Sequence, residues 1–281
     1  MGVVVYNDPK EFWKEASPSL KRDEARNSLF LGLSYLFQTA PENCVYQSLS
    51  RGPGDDIAAI VVSKHRTNRN FLPTTVEDLS QALELFQAFE ESRIEITGII
   101  GEVKVVKIYR DLFEKRNRKF EVRMTQGIYR CRKVEMPEVP FALDFRKAGP
   151  SDVEKIGQWI EEFHHEAVPH EPPIDGVELA KEKIDMEQIY VLEKEGLLLS
   201  MAGWSRDIDT SCSINLVYTP RDLRGNGYGS IVTAKLTQHF LENGKTETNL
   251  YTDMSNPTSN KIYQNIGYKF VCDSVHLGVS D

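Results

Sequence analysis

At 281 residues the chain exceeds one ordinary core and suits two domains, each able to bury its own. With 40% hydrophobic and 27% charged residues and no apolar run near the roughly 18 residues of a membrane helix, it reads as a soluble globular protein without a membrane partner. A formal net charge of -8 argues against holding nucleic acid by neutralising phosphates and suits a cationic small substrate.

The opening MGVVVYNDPK has too short an apolar run for a signal-peptide core, and Tyr6 stands where a myristoylation motif wants Ser or Thr, so neither export nor a lipid anchor is expected. DPKEFWKEA and DEARNSLFLGLSYLF then read as helices, with Leu29, Leu33 and Leu36 at helical spacing. VYQSLS, RGPGDD and IAAIVVSKH read as strand, turn and strand, punctuated by Gly52, Pro53 and Gly54. TVEDLSQALELFQAFEES reads as a helix with Thr75 and Asp78 at capping spacing. A helical VKVVKIYRDLFEKR and a strand-like KFEVRMTQGIYRC complete this half. Pro137 and Pro140 in VEMPEVPFALDF mark a boundary, giving expected domains at about residues 1–136 and 137–281.

The second half alternates more plainly. FALDFRKAG reads as a strand, Ser151 and Glu154 as a capping box, and Val153, Ile156, Ile160 and Phe163 as one face of the helix that follows. IYVLEKEGLLLSMAGWSRD reads as a hairpin turning near Glu195 and Gly196, and SCSINLVYTP as a strand stopped by Pro220. A helix from about Gly227 to Asn243 places Tyr228, Ile231, Val232, Leu236 and Phe240 for burial, with Gly244 as its stop. The strand ETNLYTDM, a short helix from NPTSNKIYQNIG and a strand-rich end follow. Strands feeding helices in this order indicate an α+β fold with a mixed sheet. Cys44, Cys131, Cys212 and Cys272 lie far apart without a CxxC pair, so neither a metal site nor a disulfide framework is expected, and reduced thiols in the cytoplasm are.

The stretch LRGNGYGSIV carries the chemistry. Gly225, Gly227 and Gly229 lie between a strand and the start of an amphipathic helix, where free backbone N–H groups and the helix dipole favour an anion. Arg224 can add a charge-assisted contact; a tight connection that merely needs glycine is the plainer alternative. A P-loop is excluded because no Lys follows the glycines, and a dinucleotide fingerprint because Ser230 stands where its last glycine belongs.

VYTPRDLRGNGYGSIVTAKL resembles the acyl-CoA-binding segment of the GCN5-related N-acetyltransferases, with Arg221, Arg224, Gly225, Gly227 and Gly229 in RDLRGNGYG. NPTSNKIYQNIGYKFV is similar to that family's second signature at Asn256, Ser259, Tyr263, Gly267 and Tyr268. The resemblance covers about Phe141 to Asp281 and points to a two-domain, FR47-like subgroup. It implies an acyl-CoA N-acyltransferase fold in the C-terminal half, with the N-terminal α/β domain a degenerate copy. It further implies that Leu216, Val217 and Tyr218 hold the pantetheine arm by backbone groups. Arg224, Gly225, Asn226, Gly227, Tyr228 and Gly229 would receive the pyrophosphate of acetyl-CoA. Tyr263 is the implied acid for the departing thiolate, with simple packing as its alternative, and Asn256 is either a cofactor contact or a helix cap. Ser259 and Gly267 would keep space for the cofactor and end the helix.

No Asp or Glu lies in SCSINLVYT, where family members often place a base. Glu166, His164, His165 and His170 in EEFHHEAVPHEPP and Asp253 in LYTDMSNP are candidates, against a solvated helix end and a structural turn; deprotonation through water is the default. The expected activity is acetyl transfer from acetyl-CoA to a primary amine of a small molecule or peptide, without a metal, with a homodimer left open. Transfer of a longer acyl group to an amino acid, a non-catalytic CoA-binding module, or a docking role for the first half are the alternatives.

Overall fold

The computed structural model of the chain describes residues 2–52, 56–65, 68–74, 79–139, 142–168 and 172–280. Pro53 and Gly54 of the expected turn, the Thr75/Asp78 cap, Pro140 and His170 lie outside the described residues. In chain order the first half forms β1 (Val3–Val5), α1 (Pro9–Leu20), α2 (Glu24–Leu36), β2 (Cys44–Arg51), β3 (Ile57–His65), β4 (Asn68–Pro73), α3 (Leu79–Glu91), β5 (Gly98–Glu102), α4 (Val103–Glu114) and β6 (Phe120–Cys131). The second forms β7 (Asp144–Lys147), α5 (Val153–Ala167), α6 (Gly176–Asp185), β8 (Ile189–Lys194), β9 (Leu197–Ser205), β10 (Ser211–Tyr218), α7 (Tyr228–Glu242), β11 (Glu247–Asp253), α8 (Pro257–Asn265) and β12 (Lys269–Val279). The two series have the same order of strands and helices, the pattern of a duplicated fold.

The chain packs as two units, one of Met1–Tyr129, Tyr251–Asn256 and Phe270–Asp281, the other of Arg130–Leu250 and Pro257–Lys269. In unit 1 the strand order is β1-β2-β3-β4-β5-β12-β6, with β4 and β5 parallel. Strand β3 is buried on both faces, as a nearly continuous apolar run requires. Ala58, Ile60 and Val62 join the core under α3 and α4, and the alternate Ala59 and Val61 are fully buried too. Phe71 is the hub of that core, its ring 5.1 Å from Phe89 and 5.3 Å from Phe113 in edge-on contacts.

Helix α2 forms as its spacing predicts, but the face differs from the leucine stripe. Ala25, Ser28, Phe30, Leu31 and Ser34 are buried, while Leu36 is 45% exposed. Small residues let this face approach its neighbours closely, which an apolar count does not register.

Unit 2 has the order β11-β10-β9-β8-β7, with β10 and β11 parallel and the others antiparallel. Helices α5 and α6 pack on one face, where Ile156, Trp159, Ile160, Ala180 and Ile184 meet Val191, Met201 and Tyr218. Helix α7 contacts β8, β9 and β10. Its Ile231, Val232, Leu236 and Phe240 are buried as expected, whereas Tyr228, at the open first turn, is only half-buried. The hairpin turns at Glu195 and Gly196, both left-handed at φ 52° and 81°, the conformation a two-residue connection demands.

The expected Ser151/Glu154 box does not form. Pro150 opens a 3-10 turn, and Asp152 instead accepts from the Gly149 N–H at 2.7 Å. The same carboxylate takes two bonds from Arg146, at 2.6 and 3.1 Å, so a bidentate ion pair fixes the entry into α5.

Helices α5 and α6 touch through glycine. A Cβ on Gly176 would lie 2.2 Å from the Gly157 carbonyl oxygen and 2.6 Å from Glu161 Cγ. Because the obstacle is helix backbone, Gly176→Ala is expected to destabilise the fold by about 1–3 kcal/mol, read as a lower urea midpoint at unchanged slope.

Candidate functional site

Strand β10 is regular only in its first half. Its parallel register with β11 runs Ser211–Ile214 against Glu247–Leu250. On the other edge Asn215 faces Gly203 while Tyr218 faces Met201, so three steps on β10 match two on β9. This is a one-residue bulge, which turns backbone polar groups out of the ladder. Leu216 takes the strained position at φ 45°, a left-handed conformation that costs a non-glycine residue roughly 1–2 kcal/mol. Ser200 Oγ–H donates to the Tyr218 carbonyl at 2.8 Å, and Thr219 Oγ1 then donates to Ser200 at 2.9 Å. Two hydroxyls thus steady the strand end where ladder pairing fails.

Beyond Pro220 a short 3-10 turn, Arg221–Leu223, leads into the glycines. Gly225 and Gly227 both have left-handed backbones, φ 85° and 79°, and no atom lies within 4 Å of a Cβ on either. Conformation rather than crowding demands glycine here. Gly227 is the N-cap of α7 and offers no side-chain cap, so the first N–H groups of the helix remain available for an anion. The sequence-predicted Asn226 turns its amide inward, donating to the Leu223 carbonyl at 3.0 Å, and thereby shapes the loop. Tyr228 and Gly229 begin the helix, and Thr219 Oγ1 would stand 3.3 Å from a Cβ on Gly229.

Arg224 is tied down on three sides. Its Nε donates to the Thr219 carbonyl at 2.9 Å, one terminal nitrogen donates to Glu166 at 2.7 Å, and the guanidinium lies 5.5 Å from the Tyr218 ring centroid. Arg221 Nε donates to the other oxygen of Glu166 at 2.8 Å. Burial works against the charge of Glu166, but the hydrogen bonds from Arg221 and Arg224 outweigh it and hold the carboxyl below its usual range.

A residue the sequence reading passed over completes this corner. Glu162 accepts the Tyr218 hydroxyl at 2.7 Å. Burial first, then the bond to Glu162 and its charge, push that phenol above its ordinary value. Glu162 and Glu166 are one turn apart on α5 and with Trp159, His165, Tyr218 and Arg221 border an open cleft. The i, i+4 spacing was the available signal.

Tyr263 lies on α8, half-buried, edge-on to Tyr268 at 6.1 Å. Burial pushes its hydroxyl up to about 12, so it stays a proton donor across the physiological range. Asn256 and Asp253 belong to unit 1. Asp253 accepts from the Ser255 N–H and hydroxyl, both at 2.8 Å, in a tight turn. His164 bonds the Pro172 carbonyl at 3.0 Å. Ser259 sits half-buried on α8. Gly267 ends α8 at φ 104°, and a Cβ there would meet the Lys133 carbonyl at 2.4 Å, so the backbone itself requires glycine at this position.

Unit 1 has a corresponding parallel pair, β4 and β5, in register at Asn70–Gly98 and Phe71–Ile99. The narrow opening beyond it is lined by Leu72, Thr74, Ile100, Glu102, Phe30 and Arg26. Arg26 Nη1 donates to Glu102 at 3.0 Å across this region.

The same architecture recurs in known structures. Residues 192–276 match the family described as FR47-like protein. The fold is that of the GCN5-related N-acetyltransferases. The structure of a Drosophila protein is similar to this chain at TM-score 0.70 and 10% identity, over 99% of this chain and 98% of that one. A GCN5-related N-acetyltransferase from Sphaerobacter thermophilus gives 0.64 at 14% identity, over 98% and 94%. A tandem GNAT protein from the clavulanic acid biosynthesis pathway gives 0.59 at 10% identity, over 99% and 100%. No curated protein matches the chain. Two series of the same element order agree with a tandem form of the N-acetyltransferase fold.

The glycine loop yields a stability test that needs no ligand. Gly227→Ala is expected to cost about 1–2 kcal/mol from its left-handed backbone alone. Gly227→Asn should cost less, because Asn visits that region readily; equal midpoints for the two variants in urea would contradict the conformational reading.

Proposed function

We propose that the protein transfers an acetyl group from acetyl-CoA directly to a primary amine of a small molecule or peptide, with unit 2 as the catalytic one. The observation that carries this reading is the left-handed pair Gly225 and Gly227, opening α7 directly after the bulged end of β10. Acetyl-CoA would supply the activated acyl group as a thioester. Leu216 and Val217, at the bulge beside Tyr218, whose carbonyl Ser200 holds, then offer backbone groups to position the pantetheine and the thioester carbonyl. The α7 N-terminus and Arg224 receive the diphosphate. The cofactor fits the loop in one specific respect: both glycines leave open space where a side chain would stand.

Tyr263 donates a hydrogen bond or proton to the sulfur as it leaves. Its burial keeps the phenol protonated, the state a donor needs. Glu166 pairs with Arg221 and Arg224 beside the glycine loop, so this reading assigns it to the diphosphate end of the site and not to the acceptor amine. The proton of the acceptor ammonium therefore passes to water. The four cysteines are unpaired, which fits a reducing compartment such as the cytoplasm.

Calorimetric titration tests the reading. Acetyl-CoA is expected to bind the wild type and to lose binding in Gly227→Asp, whose carboxylate would occupy the phosphate position; equal affinities would sink it. In a free-thiol assay with an amine panel, Tyr263→Phe is expected to lower kcat about 100-fold at unchanged acetyl-CoA affinity. An unchanged kcat would remove Tyr263 from the chemistry.

A further inference from the structure

Glu166 sits in the last turn of α5, the negative end of the helix dipole, where a carboxylate is disfavoured. It nevertheless presents one oxygen to Arg221 and the other to Arg224. Two oxygens of one anion bridging two guanidinium groups is the arrangement a phosphate would make with the same pair. Arg224 is the flank of the glycine loop, and its remaining contacts, the Thr219 carbonyl and the Tyr218 ring, leave its terminal nitrogens for an anion.

We propose that Glu166 is an internal counter-anion that competes with the cofactor diphosphate for Arg221 and Arg224 and so sets cofactor affinity. This role rests on the acyl-CoA reading above for the identity of the ligand, but the competition itself concerns any diphosphate at the loop. A carboxylate that merely buttressed the arginines would help the diphosphate bind. A competing carboxylate lowers affinity, because each binding event must first break two ion pairs. It also weakens the salt dependence, since charge is exchanged rather than newly neutralised. The ion pairs are exposed at the arginine side, with Arg221 75% and Arg224 45% accessible in their side chains. A modest effect is therefore expected.

The test is titration of acetyl-CoA and, separately, inorganic pyrophosphate into the wild type, Glu166→Gln and Glu166→Ala at two ionic strengths, with thermal midpoints as a folding control. Both variants are expected to bind each anion about fivefold more tightly, about 1 kcal/mol, and to lose that affinity more steeply as salt rises. Weaker or unchanged binding in folded variants would overturn the proposal and make Glu166 a buttress or a bystander. Tighter pyrophosphate binding with no acetyl-CoA binding in any protein would uphold the competition and discard the acyl-CoA reading. No binding of either anion to any of the three would discard both.

Discussion

A strand that leaves its sheet neighbour strips partners from its own backbone, and buried N–H and C=O groups cannot stay unpaired without cost. Strand β10 meets this constraint after Ile214, where its register with β11 ends. The response is local and specific: Leu216 accepts a strained backbone, and the Ser200 hydroxyl takes over the Tyr218 carbonyl. Asn215 anchors the near side of the bulge by donating to Ser205 Oγ at 2.7 Å. The same departure that weakens the sheet delivers the chain to the α7 N-terminus in the few residues between Tyr218 and Tyr228.

The duplicated element order makes the difference between the units informative. In unit 2 the connection from the parallel pair into its helix is PRDLRGNG, with two left-handed glycines. At the matching place unit 1 carries PTTVED, without glycine. Its opening holds the Arg26–Glu102 ion pair, in which Glu102 is only 10% exposed. The fold is kept in unit 1 by its aromatic core around Phe71 and Phe113, while the loop with two left-handed glycines belongs to unit 2.

Long periodic elements were legible in the sequence, because a single face of α5 or α7 carries enough apolar residues to declare its period. Short elements were not. Strand β1 spans three residues, β5 is five residues with two glycines, and α6 opens on Gly176 beside its contact with Gly157. None of these shows a period long enough to read, and each is specified by its neighbours. The glycine loop was legible because positive φ leaves a mark on composition. The ion pairs at Glu166 and the Tyr218–Glu162 bond were not, since they join residues more than 50 positions apart and depend on how α5 lies on the sheet.

The central claim is that one unit, through the end of β10 and the start of α7, holds acyl-CoA. Amide hydrogen exchange with and without acetyl-CoA addresses it residue by residue. The account predicts slowed exchange at residues 216–218 and 225–230, with residues 72–74 and 100–102 of unit 1 unchanged. Protection confined to unit 1, or none at residues 225–230 under saturating acetyl-CoA, would contradict it.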